Sequence, residues 1–315
     1  MKAVVYDRYG PPEVLRVEDV PIPVPKPTQV LVEIAATSIN LSDWEVLRGT
    51  PLYARIGGLR SPAQSILGSD IAGRVVAIGS EVTRFQDGDE VYGRSPFGGF
   101  AEFAVASERS LTLRPDHLTP AQASTLPEAG TIALQGTASL QPGQRLAING
   151  AGGGSGAFAI QLAKNAGADV TAIDNAGKLD FMRSLGADRV VDYRTEDYTR
   201  LGPFDRILDL VATRSVFAVN RALTTGGTYR CVGGPVPAML RMWILGAVVG
   251  RVSRRNIGVL MVNQSPKHFE PLADLVAHGE VDIHIERTFP LDQLPEALAH
   301  VGEGRALGKV VVTPG

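Results

Sequence analysis

The stretch from Arg145 to Lys164, RLAINGAGGGSGAFAIQLAK, constrains this chain most: a short apolar strand enters five glycines within seven residues and leaves as an apolar run of helical period. Glycine has no Cβ, so its backbone comes close to phosphate oxygens. The N–H groups and dipole at the start of the following helix then attract the charge. Such a turn is built to hold a pyrophosphate.

Beyond the turn the pattern repeats with a βα rhythm. Strands are expected at Leu146–Asn149, Asp169–Ile173, Arg189–Asp192, Arg206–Asp209, Gly227–Val232 and Ile257–Val262. Helices are expected at Ala157–Ala166, Lys178–Leu185 and Val216–Ala222, with a further one after Pro235. This order predicts an α/β fold, a Rossmann doubly wound parallel sheet. The first hundred residues read instead as short strands broken by Tyr9-Gly10-Pro11-Pro12 and Asp87-Gly88-Asp89, the pattern of a Greek-key or partly open barrel. The tail runs through helix and extended segments to a closing strand, Gly308–Thr313, that can complete the N-terminal β domain. The expected division is a discontinuous β-rich domain at 1–118 and 264–315, with the dinucleotide-binding domain at 119–263.

Composition narrows the partners. At 315 residues and 44% hydrophobic content, the chain can bury two cores. Lys+Arg 31 against Asp+Glu 33 gives no global basic field for nucleic acid or an anionic membrane, so a small-molecule partner is expected. The single cysteine, Cys231, and the missing charged-then-apolar leader fit a cytoplasmic setting. The apolar block Pro235 to Gly250 contains Arg241 and is shorter than the ~20 residues of a membrane span. It is expected as a buried helix or a substrate-pocket wall, with Arg251, Arg254 and Arg255 at its solvated end. The five histidines, His117, His268, His278, His284 and His300, show no ligand spacing and read as surface or helix-end residues.

Within the turn, the literal G-x-G-x-x-G template fails at its first position, where Ala151 stands, and is met at Gly153 and Gly156, with Gly154 and Ser155 between them; a small residue can still serve in the first place. Its place after a strand and before a helix makes it a dinucleotide site. Asp174 follows 18 residues beyond Gly156, close to the ~20 expected of the carboxylate that meets the adenosine ribose. That residue favours NADH over NADPH, while Lys178, four residues on, opposes it by offering a charge to a 2′-phosphate. A helix N-cap is the alternative reading of Asp174.

The chain resembles the medium-chain dehydrogenase/reductase superfamily over essentially its full length, specifically the zinc-free quinone oxidoreductase-like branch with its GroES-like catalytic domain. The matching segments include VLVEIAATSINLSDW, ILGSDIAGRVVAIGSEVTRFQDGDEVYG, LPEAGTIALQ, SLGADRVVDY and GKVVVTPG. The resemblance implies that Asn40 orients the nicotinamide or the substrate and that Tyr53 donates to a developing oxyanion; an Asx turn is the other reading of Asp43, and a surface loop position that of Tyr53. It also implies cofactor contacts from Thr131, Tyr193, Val211, Gly233, Asn263 and Lys309. It further implies edge-to-edge pairing of the last Rossmann strand into a homodimer.

No metal is expected. Catalytic zinc takes about three Cys, His or carboxylate ligands. The segment that reads Gly-His-Glu in zinc-dependent relatives is Gly68-Ser69-Asp70 here. Hydride transfer from NAD(P)H to a quinone or enone produces a delocalised oxyanion that a few hydrogen-bond donors can stabilise. The alternatives are a tailoring enoyl reductase or cyclase, with Met239–Val249 suiting a large apolar substrate, and a noncatalytic nucleotide- or RNA-binding protein. Two departures from the family stand out: Ser155 replaces a common valine, and Ala212 replaces the usual glycine after Val211.

Overall fold

The computed structural model describes residues 1–55 and 58–315 and divides the chain into two units. One comprises Met1–Thr131, Gln264–Gly279 and Ile283–Gly315; the other comprises Ile132–Asn263 and Glu280–Asp282.

The first unit opens with β1 (Lys2–Val5) and β2 (Arg16–Asp19), an antiparallel ribbon. Next come β3 (Gln29–Ser38), α1 (Leu41–Arg48), β4 (Asp70–Ile78), β5 (Glu90–Arg94), β6 (Phe103–Ser107) and β7 (Leu111–Leu113). The chain continues through α2 (Pro120–Ser124) into α3 (Pro127–Thr137). Glycine is required at Gly73, where a Cβ would sit 1.9 Å from the Glu33 carbonyl oxygen on the neighbouring strand.

The second unit carries β8 (Arg145–Asn149), α4 (Gly154–Asn165), β9 (Asp169–Asp174), α5 (Leu179–Ser184), β10 (Arg189–Asp192), β11 (Phe204–Asp209), α6 (Val216–Ala222), β12 (Leu223–Cys231), α7 (Val236–Ser253) and β13 (Asn256–Val259). Every pairing is parallel, in the order β10-β9-β8-β11-β12-β13. That is the expected doubly wound order, with its reversal between β8 and β11. Helix α4 starts three residues earlier than the periodicity indicates. Gly154 and Gly156 are poor helix formers, and their composition hides a helical start that the backbone adopts.

The tail returns as α8 (Glu270–Ala277), β14 (Ile285–Pro290), α9 (Leu294–Gly302) and β15 (Lys309–Thr313). β15 joins the first unit's sheet, which runs β14-β15-β3-β4-β5-β7 with β6 also on β3. The expected completion of the N-terminal β domain by the closing strand is therefore present in the pairing of Val311 and Val312 with Ser38 and Thr37.

Of the two expectations for the apolar block, a buried helix or a substrate-pocket wall, the first is corrected. Helix α7 is not a buried helix: only the ridge Ala238, Met242, Gly246 and Gly250 is covered, while Leu240, Trp243, Ile244, Leu245, Val248 and Val252 are exposed. An all-apolar run gives no periodic signal for which side is packed. His268, expected at the surface or at a helix end, closes the short 3-10 helix Pro266–His268, with its Nε2 buried and without a hydrogen-bond partner among the described residues.

Candidate functional site

The phosphate turn begins one residue earlier than the template places it. Gly150 takes φ +85°, the left-handed conformation of the tight turn, and Gly150 and Ala151 both give their N–H to the Ile173 carbonyl. Ala151 is fully buried and needs no special conformation, so its side chain is harmless there. The missed signal was the first glycine after the strand. Gly153 caps α4 with extended backbone, and a Cβ added to it meets nothing closer than 3.7 Å. Gly156 is the reverse, since a Cβ there would lie 2.4 Å from the Ala151 carbonyl oxygen. Gly153 thus leaves room for a ligand, and Gly156 lets the helix close on the turn. Gly154, Ser155 and Gly156 supply first-turn N–H groups that an α-helix cannot satisfy internally.

At the end of β9, Asp174 accepts the Gly152 N–H at 3.0 Å and the Asn175 N–H at 2.8 Å. Lys178 Nζ stands 3.7 Å from the same carboxylate, and both side chains are nearly buried. The N-cap reading of Asp174 is corrected: Asn175 holds that position and accepts from the Gly177 N–H. Asp174 instead braces the phosphate turn and carries Lys178 with it. Tyr193 lies half exposed after the neighbouring strand, beneath the Arg194 guanidinium.

The reversal point of the sheet is organised by Asp209, which sequence reading left unassigned. Its buried carboxylate accepts from Asn149 Nδ2 (2.8 Å), Val211 N (3.0 Å) and Ala212 N (2.8 Å), and from the hydroxyls of Tyr198 (3.2 Å) and Tyr229 (2.9 Å). Burial and the Asp209 charge hold both phenols well above their ordinary range. This knot ties the ends of β8 and β11 together and leaves Val211 exposed. Gly233 adopts φ +70° with open space where a Cβ would be. Asn263 is fixed by a reciprocal pair with Gln135: the Gln135 amide donates to the Asn263 carbonyl at 2.8 Å and accepts its N–H at 3.1 Å. Gln135 was a missed residue, visible only as the end of LPEAGTIALQ. Cys231 is buried, and its thiol is pushed up to about 12 by burial and Asp209, which suits a packing residue.

On the first unit a buried polar cluster surrounds Asn40. Its Nδ2 donates to Asp70 Oδ2 at 3.0 Å, and its Oδ1 accepts from Lys309 Nζ at 2.7 Å. Its backbone N–H goes to Asp43 Oδ2 at 2.8 Å, so the Asx-turn reading of Asp43 is corrected: Asp43 lies inside α1 and reaches back to Asn40 as the third helical residue of a capping box. Asp70 also accepts the Glu128 N–H at 2.9 Å and lies 3.4 Å from the Arg94 guanidinium, which reaches Glu128 as well at 3.1 Å. Burial lowers the affinity of Lys309 for its proton, although Asp70, Glu128 and Asp43 oppose that shift. Burial raises the Glu128 carboxyl, against Arg94. Lys309, expected to reach the cofactor, is buried and gives two of its three ammonium protons to the Ile39 carbonyl and Asn40.

Tyr53 is partly exposed and donates its hydroxyl to Glu45 at 3.0 Å, a carboxyl raised by burial. Thr131 is fully buried on α3, and its Oγ1 has no partner among the described residues. Such an orphan is costly to leave unpaired, and a ligand amide or hydroxyl would satisfy it. Within the second unit, the open Gly153 and Gly233 positions fit a bound dinucleotide. Zinc is a different matter. Asp70 replaces the ligand segment and is already filled by an amide, an N–H and a guanidinium. Among the described residues no three His, Cys, Asp or Glu side chains gather in a ligand set.

Two family models match, the alcohol dehydrogenase GroES-like domain over residues 26–116 and the zinc-binding dehydrogenase over residues 185–312. The chloroplast envelope quinone oxidoreductase homolog of Arabidopsis thaliana is 34% identical, the match covering 100% of this chain and 98% of that protein. An NADPH-dependent alkenal/one oxidoreductase of the same plant is 30% identical over 100% of this chain and 80% of its own length. The solved quinone oxidoreductase of Coxiella burnetii superposes with a TM-score of 0.89 at 30% identity, covering 99% of both chains. The chain belongs to the medium-chain dehydrogenase/reductase superfamily, in its quinone oxidoreductase-like branch. It is an NAD(P)H-dependent oxidoreductase, and the second unit is where its dinucleotide turn resides.

Proposed function

We propose that this chain reduces quinones or α,β-unsaturated carbonyl compounds without zinc, using NADH in preference to NADPH. The single observation that carries the zinc-independent reading is Asp70, saturated by Asn40, Glu128 N–H and Arg94 in the segment that supplies metal ligands elsewhere. When bound, the dihydronicotinamide supplies a hydride to the conjugated acceptor, and solvent supplies the proton that completes reduction. Asn40 is held from both sides, by Asp70 on its amino group and Lys309 on its oxygen. Its second Nδ2–H is the donor assigned here to the acceptor oxygen as negative charge develops. Preorganisation matters because a fixed donor needs no rearrangement when that charge forms.

Asp174 supports NADH, because the carboxylate at the end of β9 repels a 2′-phosphate and suits a bare ribose hydroxyl. The names of the matched relatives, quinone and alkenal/one oxidoreductases, support the acceptor class. The test is turnover of metal-free protein, prepared by exhaustive chelation, with NADH or NADPH and a panel of quinones, enones and simple ketones. Full activity on the conjugated acceptors and none on the simple ketones is expected. Activity that returns only on adding zinc would refute the reading.

A further inference from the structure

The proposed reduction needs a proton after the hydride has moved, and that proton must reach the acceptor from solvent. Beside Asn40, Asp70 is closed off by the Asn40 amide, the Glu128 N–H and Arg94. Glu45 and Tyr53 are placed differently. Glu45 is half-buried on α1, about 7.5 Å along the helix axis from the Asn40 cap, and Tyr53 beside it is 36% exposed. Ser42 and Glu45, three residues apart, lie on one side of α1. That side faces the buried cluster, since the Ser42 hydroxyl donates to Glu128 at 2.9 Å and the Glu128 charge acts on Glu45. An acceptor held at Asn40 thus has Glu45 and its phenol along the same helix face.

Tyr53 Oη lies 3.0 Å from Glu45 Oε2. The phenol sits on the short 3-10 helix Leu52–Arg55, which Arg55 pins in place. Its Nε donates to the Gly49 carbonyl at 2.9 Å, and its guanidinium lies 4.8 Å over the Tyr9 ring. With Glu45 ionised, the phenol donates to the carboxylate. With Glu45 protonated, the carboxyl donates to the phenol oxygen and the phenolic O–H turns outward. Burial raises the Glu45 carboxyl, assisted by Glu128 and opposed by the Tyr53 hydroxyl. The remaining charges near α1 are engaged elsewhere. Arg48 lies over the Trp44 ring, and α9 meets α1 through Gly302 and Trp44, with Glu296, His300 and Glu303 paired to Arg287, Glu286 and Arg305.

We infer that Glu45 supplies the proton of the reduction by way of Tyr53, an inference that rests on the reading of this chain as a reductase of conjugated carbonyls. The acceptor takes the hydride from the dihydronicotinamide, and the oxyanion that forms takes the Tyr53 O–H proton. The phenol oxygen takes the proton of the Glu45 carboxyl, and solvent reprotonates the carboxylate. An enol formed in this way relaxes to the ketone in water. Only cofactor and acceptor change oxidation state. Glu45 acts through Tyr53 and does not touch the acceptor.

Glu45→Gln keeps a donor to the phenol oxygen but has no proton to give up. With the purified full-length protein, NADH and ethyl vinyl ketone, it should lower kcat about tenfold or more while NADH affinity and thermal midpoint stay unchanged. In the parent, kcat should fall as pH rises through the raised Glu45 carboxyl, because the protonated form is the donor. That limb should vanish in Glu45→Gln and persist in Asp43→Asn, which removes the other titrating carboxyl of α1. In Glu45→Gln the rate should also gain sensitivity to heavy water and lose sensitivity to deuterium at the transferring position of NADH, since the proton step then limits. A purely structural role slows both steps together and moves neither isotope effect. Tyr53→Phe should behave alike, and the two substitutions together should cost no more than one. A pH limb or isotope effects unmoved in Glu45→Gln, beside a parent that turns over, would overturn the role of Glu45 alone. A parent inactive on every quinone and enone would overturn the reading of function, and this inference with it.

Discussion

Lys309 Nζ sits 2.7 Å from Asn40 Oδ1, and Asp70 Oδ2 sits 3.0 Å from Asn40 Nδ2, so one amide is clamped between a buried cation and a buried anion. The two contacts fix which way round the amide faces, because its oxygen can only accept and its nitrogen can only donate. Lys309 is a positioning residue for Asn40. Lys309→Met should lower kcat/KM about tenfold or more, and Asn40→Ala should cost little extra in that background, since residues acting as a unit are not additive. A double-mutant cycle on NADH-driven quinone reduction checks this. Full additivity would show that the clamp has no role in catalysis.

Under the proposed preference for NADH, Asp174→Ser removes the carboxylate assigned to the ribose and leaves Lys178 without its nearby anion. The ratio of kcat/KM for NADPH to that for NADH should rise about tenfold or more, as expected when a charge repulsion of roughly 1.4 kcal/mol is removed. Steady-state kinetics with both cofactors provide the reading. An unchanged ratio would remove the ribose contact from the scheme.

The two glycines of the turn separate binding from folding. Gly153→Val adds bulk to open space and should weaken NADH binding strongly while costing no more than about 1 kcal/mol of stability. Gly156→Ala should lower the thermal midpoint because its Cβ meets the Ala151 carbonyl at 2.4 Å. Cofactor titration by fluorescence and thermal melts of the unliganded proteins distinguish the two effects.

Ala212 occupies φ +55°, a left-handed conformation that an L side chain adopts at a cost of roughly 1 kcal/mol. Ala212→Gly should relieve it, partly offset by the greater freedom of glycine in the unfolded chain. The net gain expected is up to about 1 kcal/mol, seen as a higher denaturation midpoint with an unchanged slope. A lower midpoint would mean that the buried methyl contributes more packing than the backbone strain costs.

Burial raises the Asp43 carboxyl from 3.8 to about 7, opposed by the Asn40 N–H and assisted by Glu128 and Asp70. The folded protein therefore holds this proton more tightly than the unfolded chain. The associated stabilisation is complete below the unfolded value and is lost as pH rises through the folded one. Asp43→Asn keeps an acceptor for the Asn40 N–H and cannot ionise. Its stability relative to the parent should improve as pH rises from about 4 to about 8, by a few kcal/mol at most. Parallel melts across that range test the sign.

The alternation of short strands and turns, the βα repeats and the glycine turn made both sheets legible before any coordinates, because each reflects a local period or a local steric need. The place of Asp174 at the end of β9 followed from spacing along one βαβ unit, and the closing strand from its apolar run. The Asn40 clamp was not legible in that way. It joins positions 40, 70, 128 and 309, brought together only when β15 pairs with β3 and β4 lies beside it. The same holds for Asp209, whose five donors come from four separate stretches of chain. The sequence by itself determined the doubly wound sheet, its phosphate turn and the poverty of metal ligands. Tertiary structure alone decided that Lys309 faces Asn40 and that α7 packs on the sheet through the ridge Ala238, Met242, Gly246 and Gly250. Those outcomes depend on which surfaces pack together, and hydrophobicity along the chain does not specify the packing partner.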